Sequence, residues 1–413
     1  MIKLIRRLKK PYKRILFVII LFLIIFFFIL LILNFYNNYR IKHALIHVEL
    51  IDNLDIEVYS KIKTSDLIKD INGELIEDNE IKTTHLGTKE INFEYINEEN
   101  IRVPYSFEIN IVDKTKPVIS QYNSKTIYVG DKDFVDTMFC GDNYDNKPKC
   151  FIRGEYDINT PGTYPLTFVG IDSSNNMSSY DFDLIIKEKH KSSSNYSGGD
   201  PFYNSIPIED IITTYKTKDT KIGIDVSKWQ KEINYKKVKK SKVEFVMIKL
   251  GGRDGIDGEL YLDPKFKENI EGFNKQRIPV GVYFFSHAKN KEQALEEAKF
   301  VVKNLKGYEV DMPVAFDWEN FERYRKYNLS FYNLTEVSKT FMNYVKSKEY
   351  EPILYSSKYN LENYWYETNY KTWLAHYTDQ TNYEGNYYIW QLTANGKVKG
   401  IDKNVVDIDI LYK

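Results

Sequence analysis

The chain has 413 residues, which is too long for one typical domain and suggests two or three. Its 58 lysines and arginines balance 58 aspartates and glutamates, so the formal net charge is zero. This balance argues against a nucleic-acid-binding protein, whose surface would be basic.

The amino-terminal segment is typical of a membrane anchor. Residues 1–14 contain seven lysines and arginines and no acid, and residues 15–33 are nineteen consecutive apolar residues. As a helix this run spans about 28 Å, close to the thickness of the bilayer's hydrocarbon core. We expect a cytoplasmic basic segment at 1–14, a transmembrane helix at 15–36 and an extracellular remainder. The bulky polar residues from Asn34 to Arg40 offer no small-residue cleavage site, which favours an uncleaved signal anchor over a removed signal peptide.

The next region contains an internal repeat with an offset of 75 residues, which places Gly87 on Gly162 and Phe107 on Phe182. Each copy ends in short alternating runs joined by Asn- or Ser-rich turns, the pattern of small antiparallel β-sandwiches. The boundaries are 43–113 and 114–188. The second copy, with its Asp-Lys-Thr-Lys-Pro start and its Thr-Pro-Gly-Thr-Tyr segment at residues 160–164, resembles bacterial immunoglobulin-like repeats of surface proteins. That resemblance implies spacers, with ligand binding as the alternative.

The chain has only two cysteines, Cys140 and Cys150, which could close a hairpin as a disulfide outside the membrane or remain free thiols. The six histidines are scattered without the spacing of a metal site. We therefore expect neither a bound metal nor a cofactor.

Residues 189–220, rich in serine, glycine and lysine in their first half, are predicted to form a flexible linker. All five tryptophans lie after it. Flat aromatic faces suit sugar rings, although filling the core is the alternative for at least half of them.

Residues 221–413 alternate strands and helices, which predicts a parallel sheet closed into a (β/α) barrel. The helical pattern is clearest at 291–305 and 335–348. The predicted strands cover residues 222–226, 245–250, 279–285, 314–317, 352–356, 372–377 and 388–391.

Two acids follow the apolar run that begins at Met312. Alternation places Asp317 and Glu319 on one face of a strand, with Cα atoms roughly 6.5–7 Å apart and Trp318 opposite. One carboxylate then holds a proton on the other, which suits general acid catalysis on a glycosidic oxygen. The alternative is a solvated strand end with two surface carboxylates. Other side chains placed at the carboxyl ends of strands are Asp225, Tyr283, Tyr355 and Trp373.

Several short motifs occur in a fixed order along this domain: Asp-Val-Ser-Lys-Trp-Gln at 225–230, Gly-Val-Tyr-Phe-Phe at 281–285, Asp-Trp-Glu at 317–319, Trp-Leu-Ala-His-Tyr at 373–377, Trp-Gln at 390–391, and a closing segment at 400–409. Together they resemble the glycoside hydrolase family 25 muramidases, the lysozymes of the Chalaropsis type. The resemblance implies a flattened β/α barrel that cleaves the β-1,4 bond between N-acetylmuramic acid and N-acetylglucosamine in peptidoglycan.

The resemblance also implies roles for single residues. Glu319 matches the family's general acid, and Asp317 matches its partner carboxylate. Asp225 and Asp407 match acids that line the floor of the same site, with Asp409 as the alternative to Asp407. Asp317 would orient the substrate's 2-acetamido group, whose carbonyl oxygen attacks the anomeric carbon with retention of configuration. An inverting route, in which Asp317 or Asp225 activates a water, is the alternative.

Second-rank candidates for sugar contacts are Tyr283, Tyr355, Trp373 and Gln391, with a packing role as the alternative for each. The chain departs from the family pattern in the glycine-rich segment at 249–255 and in Phe284, where many members carry histidine.

The sequence thus predicts a membrane-anchored hydrolase acting on peptidoglycan glycan strands outside the cell, for local wall remodelling. The alternatives are an inactive wall-binding module and a hydrolase of another amino-sugar polymer such as chitin. The expected partners are the glycan strands and the cell membrane, with no nucleic acid, and the sequence does not identify protein partners.

Overall fold

The structure is a computed structural model that describes residues 10–188 and 204–413, with only the backbone of residues 10–16. Most of the predicted basic segment, residues 1–9, and the first part of the predicted linker, residues 189–203, therefore lie outside the described residues. The chain forms two compact units, Met1–Lys114 and Thr115–Lys413.

The first unit begins with helix α1, Lys10–His43. Its stretch Phe17–His43 is long and apolar enough to cross a membrane: its most apolar window has a mean hydropathy of 3.4, and none of that window is buried. The helix is longer than the predicted span of 15–36. Its last turn contains Arg40 and Lys42, cations that favour the negative end of a helix dipole.

The rest of the first unit is β structure. Its main sheet has the strand order β2-β8-β7-β5, in which β7 and β8 form a long hairpin and β2 lies parallel to β8. Ile91, Phe93 and Tyr95 alternate inward along β7 and fill the core. The strands are β1 Val48–Leu50, β2 Asp55–Glu57, β3 Ile62–Lys63, β4 Ile68–Ile71, β5 Gly73–Leu75, β6 Glu80–Ile81, β7 Gly87–Asn97 and β8 Arg102–Val112.

The second unit opens with a β region of the same topology, in the order β10-β14-β13-β12. The hairpin strands of the two regions begin at Gly87 and Gly162, so the sequence repeat corresponds to a repeated hairpin. Cys140 and Cys150 are bonded to each other, with their Cα atoms 6.5 Å apart. Both regions are compatible with small sandwiches, while the immunoglobulin-like assignment stays a prediction. The strands are β9 Val118–Ile119, β10 Ser124–Tyr128, β11 Cys140–Gly141, β12 Lys149–Arg153, β13 Gly162–Ile171 and β14 Met177–Lys187.

The second half of the predicted linker is ordered, which corrects the boundary at residue 220. Strand β15, Ile206–Pro207, pairs with a barrel strand, and helix α2, Ile208–Tyr215, buries Ile208 and Ile211 against the next domain. The reason is that these isoleucines recur at helical spacing and cover apolar surface of the barrel.

The predicted strands at 221–413 are confirmed, and they form a closed barrel. The order is β23-β22-β21-β20-β19-β17-β16-β24, and β23 also pairs with β24. The strands are β16 Thr220–Val226, β17 Phe245–Arg253, β18 Leu260–Leu262, β19 Val280–Phe285, β20 Val314–Asp317, β21 Pro352–Ser357, β22 Lys371–Ala375, β23 Ile389–Lys397 and β24 Val406–Tyr412. The helices are α3 Tyr235–Lys240, α4 Phe266–Lys275, α5 Lys291–Leu305, α6 Phe331–Lys346 and α7 Lys358–Asn363.

One strand of the closed barrel departs from the expected parallel arrangement. Strand β24 runs antiparallel to both of its neighbours, β16 and β23. Its amino end therefore lies level with the carboxyl ends of the parallel strands. This reversal brings Asp407, near the start of β24, directly opposite Asp225, near the end of β16.

Alternation along the strands builds two apolar layers. Outward-facing residues such as Ile224, Val282 and Phe316 pack in one cluster with the helices. A separate cluster made by alternate residues of the same strands fills the barrel interior, and it contains Phe245, Met247, Ala315, Ile353, Ile389 and Leu411. Because side chains alternate with a period of two, the residues in phase with this second cluster point into the barrel up to its mouth.

Candidate active site

The acids lie at the mouth of the barrel because they continue the inward-facing rows. Asp225 is in phase with Gly223, and Asp317 is in phase with the interior residue Ala315. Carboxyl ends of barrel strands are where such folds place their active groups. Asp225 and Asp317 are both buried, at 6% and 4% exposure, so these carboxyls face a protein interior rather than bulk water.

Asp317 and Glu319 come together as expected, but the strand ends earlier than predicted. Strand β20 stops at Asp317, and Glu319 is the N-cap residue of the 3₁₀ segment Asn320–Tyr327 instead of continuing the strand. Their charges interact, and Trp318 between them is fully buried on the other side. The indole Nε1 of Trp318 donates to the carbonyl oxygen of Ala288 at 3.2 Å.

Gln391 joins two acids from different strands. Its amide nitrogen donates to Asp225 Oδ2 at 2.8 Å and to Asp407 Oδ2 at 3.3 Å. Its amide oxygen accepts hydrogen bonds from the hydroxyl groups of Tyr355, at 2.9 Å, and Tyr377, at 3.0 Å. With all of these bonds made, the amide fixes the spacing of the two carboxylates.

Asp409 lies one inward-facing position deeper than Asp407. It is completely buried, opposite Gly223 on the neighbouring strand, and accepts a hydrogen bond from Trp373 Nε1 at 2.8 Å. Asp407 is only partly buried and level with Asp225. Of the two, Asp407 is the one placed at the mouth.

Burial is the first cause of the raised pKa values in this cluster. It raises the pKa of Asp225 and of Asp317 well above the usual range, and the neighbouring carboxylates, Asp407 beside Asp225 and Glu319 beside Asp317, add to it. Burial and then the charge of Glu319 raise the pKa of Asp407 to about 6. The cluster thus retains protons close to neutral pH.

Glu319 combines an open position with a raised pKa. Its side chain is exposed to solvent, yet the surrounding protein raises its pKa by desolvation, as expected for a group on the wall of a cleft. The positive charge of Lys249 acts in the opposite direction on both Glu319 and Asp317. The sequence predicts that one carboxylate of the pair holds a proton on the other. The charge of Glu319 does act in this way on Asp317, whereas desolvation is the cause that raises the pKa of Glu319.

The four predicted sugar contacts differ in depth. Tyr283 is partly exposed and lies beside Lys249, whose Nζ is 5.9 Å from its ring centre. Trp373 and Gln391 are each 2% exposed, which leaves almost no surface for a substrate. Tyr355 is also buried and packs against Trp373, with ring centres 4.7 Å apart. Trp373, Gln391 and Tyr355 therefore lie deeper in the barrel than its mouth and support the acids there.

Sequence reasoning missed three residues of the site: Lys249 and Tyr261, which interact electrostatically with Asp317, and Tyr377, which donates to Gln391. Lys249 is in phase with Met247 on β17, so strand alternation could have identified it. Tyr261 lies on β18, which pairs with β17 so closely that a Cβ at Gly251 would lie 1.9 Å from the carbonyl oxygen of Tyr261. The glycine-rich departure from the family pattern therefore permits this pairing.

A second group of acids lies outside the barrel. The buried Asp142 and Asp172 of the β region have carboxylate oxygens within 4.8 Å of each other, a spacing that a cation could share. The barrel acids are held by Gln391 and Trp373 and are not part of this group.

Comparisons with known proteins concern the barrel domain. Residues 224–401 match the model of glycosyl hydrolases family 25. The chain is 27% identical over 209 residues to YegX, an uncharacterized protein of Escherichia coli K12, and the match covers 49% of this chain and 73% of that protein.

Solved structures similar to this chain include two bacterial proteins. One is the modular autolysin LytC of Streptococcus pneumoniae in complex with a synthetic peptidoglycan ligand, with 24% identity, a TM-score of 0.43, and coverage of 60% of this chain and 56% of that one. The other is a family 25 glycosyl hydrolase of Bacillus anthracis, with 18% identity, a TM-score of 0.42, and coverage of 52% and 95%. The sequence match over residues 224–401 thus relates the barrel domain to the family 25 glycosyl hydrolases.

Proposed function

We propose that this protein is a membrane-anchored muramidase, which hydrolyses the β-1,4 bond between N-acetylmuramic acid and N-acetylglucosamine in peptidoglycan outside the cell. The observation that carries the proposal is the group of acids at the barrel mouth, Asp225, Asp317, Glu319 and Asp407, of which the first three lie inside the region that matches the family. A glycosidase needs a carboxyl that keeps its proton beside a second carboxylate, and burial provides this here.

In this mechanism Glu319 protonates the leaving glycosidic oxygen, because its carboxyl is accessible and its pKa is raised. Asp317 accepts a hydrogen bond from the N–H of the substrate's 2-acetamido group. The carbonyl oxygen of that group attacks the anomeric carbon as the glycosidic bond breaks. Water then opens the cyclic intermediate, Glu319 recovers a proton from that water, and the configuration is retained.

The anchor follows from helix α1, whose apolar length suits one membrane crossing. The basic residues before it favour a cytoplasmic amino terminus, so the enzyme domain lies outside. A tethered hydrolase acts on wall close to the membrane, which suits local remodelling better than lysis.

The test is digestion of purified peptidoglycan by the full chain in detergent, beside Glu319→Gln, with mass spectrometry of the reduced products. We expect muropeptides that end in reduced N-acetylmuramic acid, and we expect the substitution to abolish them. Binding to the wall without new reducing ends from either protein would instead establish a wall-binding module. A parallel digestion of chitin separates the two amino-sugar polymers.

A further inference from the structure

The carboxyl of Glu319 makes no hydrogen bond to a described residue that would fix its position. Glu319 is the N-cap residue that precedes the segment Asn320–Tyr327, but its side chain makes no capping bond, and among the described residues its carboxyl has no hydrogen-bond partner. Its position therefore depends on the backbone on either side of it.

That backbone is held by aromatic packing. Trp318 contacts Phe321, Tyr324 and Tyr327, with ring centres 4.9, 5.8 and 4.8 Å away. The segment is not a regular helix, since Arg323 has non-helical angles. A segment without a regular hydrogen-bond ladder takes its shape from what packs against it.

Part of that packing comes from the β region of the same compact unit, through residues 134–150, here called the docking segment. Phe139 of this segment is 8% exposed and belongs to the core of the barrel domain rather than to that of its own region. Its ring lies 5.4 Å from Tyr324, 6.4 Å from Phe321 and 4.6 Å from Tyr364.

Polar contacts fix the same interface. Arg325 donates to the carbonyl oxygens of Val135, at 3.2 Å, and Cys150, at 3.3 Å. The backbone N–H of Phe331, the first residue of helix α6, donates to the carbonyl oxygen of Asp142 at 2.9 Å. The docking segment thus satisfies an amide that a helix start otherwise leaves without a partner.

The docking segment also bonds to Ser330, the residue that caps helix α6. Asn146 Oδ1 accepts hydrogen bonds from the backbone N–H of Ser330 and from Asn333 Nδ2, both at 2.7 Å. The Cys140–Cys150 disulfide closes the loop that presents Asn146 and Asp142. These contacts lie within the 3₁₀ segment, at Arg325, and just after it, at Ser330 and Phe331, so they hold its far end.

We propose that the docking segment contributes to catalysis by positioning the acid. Phe139 is a positioning residue: it packs against Phe321 and Tyr324, these pack against Trp318, and this packing determines the position of Glu319. The β region is then a support of the active site as well as a spacer. This inference deepens the proposed function and rests on it for the role of Glu319 as the acid.

The test compares Phe139→Ala with Phe182→Ala in the full chain in detergent. Phe182 is a matched control, because it is 5% exposed and lies in the β region's own core, away from the barrel. With a soluble peptidoglycan oligomer we expect Phe139→Ala to lower kcat by about ten- to a hundredfold and to leave KM within about twofold, as misplacement of a group acting in the transition state does. Phe139→Leu, which refills most of the space, restores much of the loss.

The pH profile separates positioning from simple loss of stability. Partial desolvation by the surrounding protein raises the pKa of Glu319, so a backbone that moves away from that protein lets the carboxyl hydrate further and moves the basic limb of kcat/KM to lower pH. The charged and titratable groups around Glu319 are unchanged in the variant: Asp317, Asp407, Lys249, Tyr355 and Tyr377. The proposal would be overturned if the Phe139→Ala protein folds, has the kcat of the wild type, and shows the basic limb of kcat/KM at the same pH as the wild type.

Two further measurements keep the inference testable. If Phe139→Ala does not fold, Asn146→Ala provides the test, because it removes only the bonds to Ser330 and Asn333. We expect kcat to fall in this variant too, by a smaller factor, and an unchanged kcat contradicts the proposal.

If the wild-type chain cleaves nothing, the proposed function fails. The positioning of Glu319 is then judged by carboxyl-carbon NMR titration, in which Phe139→Ala must lower the pKa of Glu319 and Phe182→Ala must not.

Discussion

Lys249 is a positive charge that faces Asp317 and Glu319 from the neighbouring part of the barrel wall, and its effect on them can be measured. Glu319 must be protonated to act as an acid, so activity falls as pH rises through its pKa. Desolvation by the surrounding protein raises that pKa, and the charge of Lys249 lowers it in part.

Replacing Lys249 with methionine should therefore raise the pKa of Glu319 and move the basic limb of kcat/KM to higher pH. Lys249→Arg keeps the charge and serves as the matched control, with a limb close to that of the wild type. The measurement is the rate of reducing-end release from peptidoglycan between pH 4 and 9. A limb that moves to lower pH in the methionine variant is incompatible with this account.

Gln391 is the other residue whose replacement should change the properties of the site. Gln391→Leu leaves the hydroxyl groups of Tyr355 and Tyr377 without their acceptor and the carboxylates of Asp225 and Asp407 without their donor. We expect a stability loss of about 1–3 kcal/mol, the usual cost of buried unpaired polar groups, and at least a tenfold fall in kcat. Denaturant unfolding and steady-state kinetics check the two effects, and wild-type values in both would show that the bridge has no role.

At the scale of elements, an ion pair joins the glycine-rich end of β17 to helix α5. Arg253 Nε donates to Glu297 Oε1 at 2.8 Å, and the two side chains are 5% and 0% exposed. Burial raises the pKa of Glu297 to about 7, although Ser286 and Arg253 donate hydrogen bonds to it.

Removing the arginine should be costly because it leaves a buried carboxyl without its cation. We expect Arg253→Met to reduce the free energy of unfolding by about 3–5 kcal/mol above pH 7. Glu297 is mostly neutral below its wild-type pKa of about 7, so the loss should be smallest below pH 7 and should grow as pH rises above 7. Denaturant titrations at several pH values measure this difference.

The matched control is the more exposed pair of Lys358 and Glu362 on helix α7, whose side chains are 21% and 37% exposed. Lys358→Met should cost about 0.3–0.5 kcal/mol, the usual contribution of an i,i+4 pair. Equal losses in the two variants, or a loss in Arg253→Met that does not depend on pH, would contradict the assignment of Glu297 as the group left unpaired.

At the scale of the whole molecule, the proposed anchor is tested by deleting residues 1–43, which removes helix α1. Because no other helix among the described residues is long and apolar enough to cross a membrane, the shortened chain should leave the membrane fraction. Fractionation followed by immunodetection measures the change, and retention by the membrane would point to a second attachment. Substituting Leu23 with alanine leaves a span of the same length and should change nothing.

Local patterns in the sequence were sufficient for much of the fold. Alternation and apolar runs identified all seven parallel barrel strands, and the repeat at an offset of 75 residues marked the hairpins that begin at Gly87 and Gly162. These patterns work because the side-chain period of a strand is a property of the strand itself. The segment Ile206–Tyr215 was mistaken for linker because its apolar face is short and depends on the barrel for a partner.

The sequence by itself determined the apolar helix, the barrel domain, its family resemblance and the identity of the candidate acids. Only the tertiary structure decided how they are arranged. The reversed direction of β24 brings Asp407 level with Asp225, Gln391 links two carboxylates that are far apart in the chain, and Phe139 reaches the segment after Glu319. Strand direction and contacts between distant residues are set by which surfaces pack together, and no local period of the sequence encodes that choice.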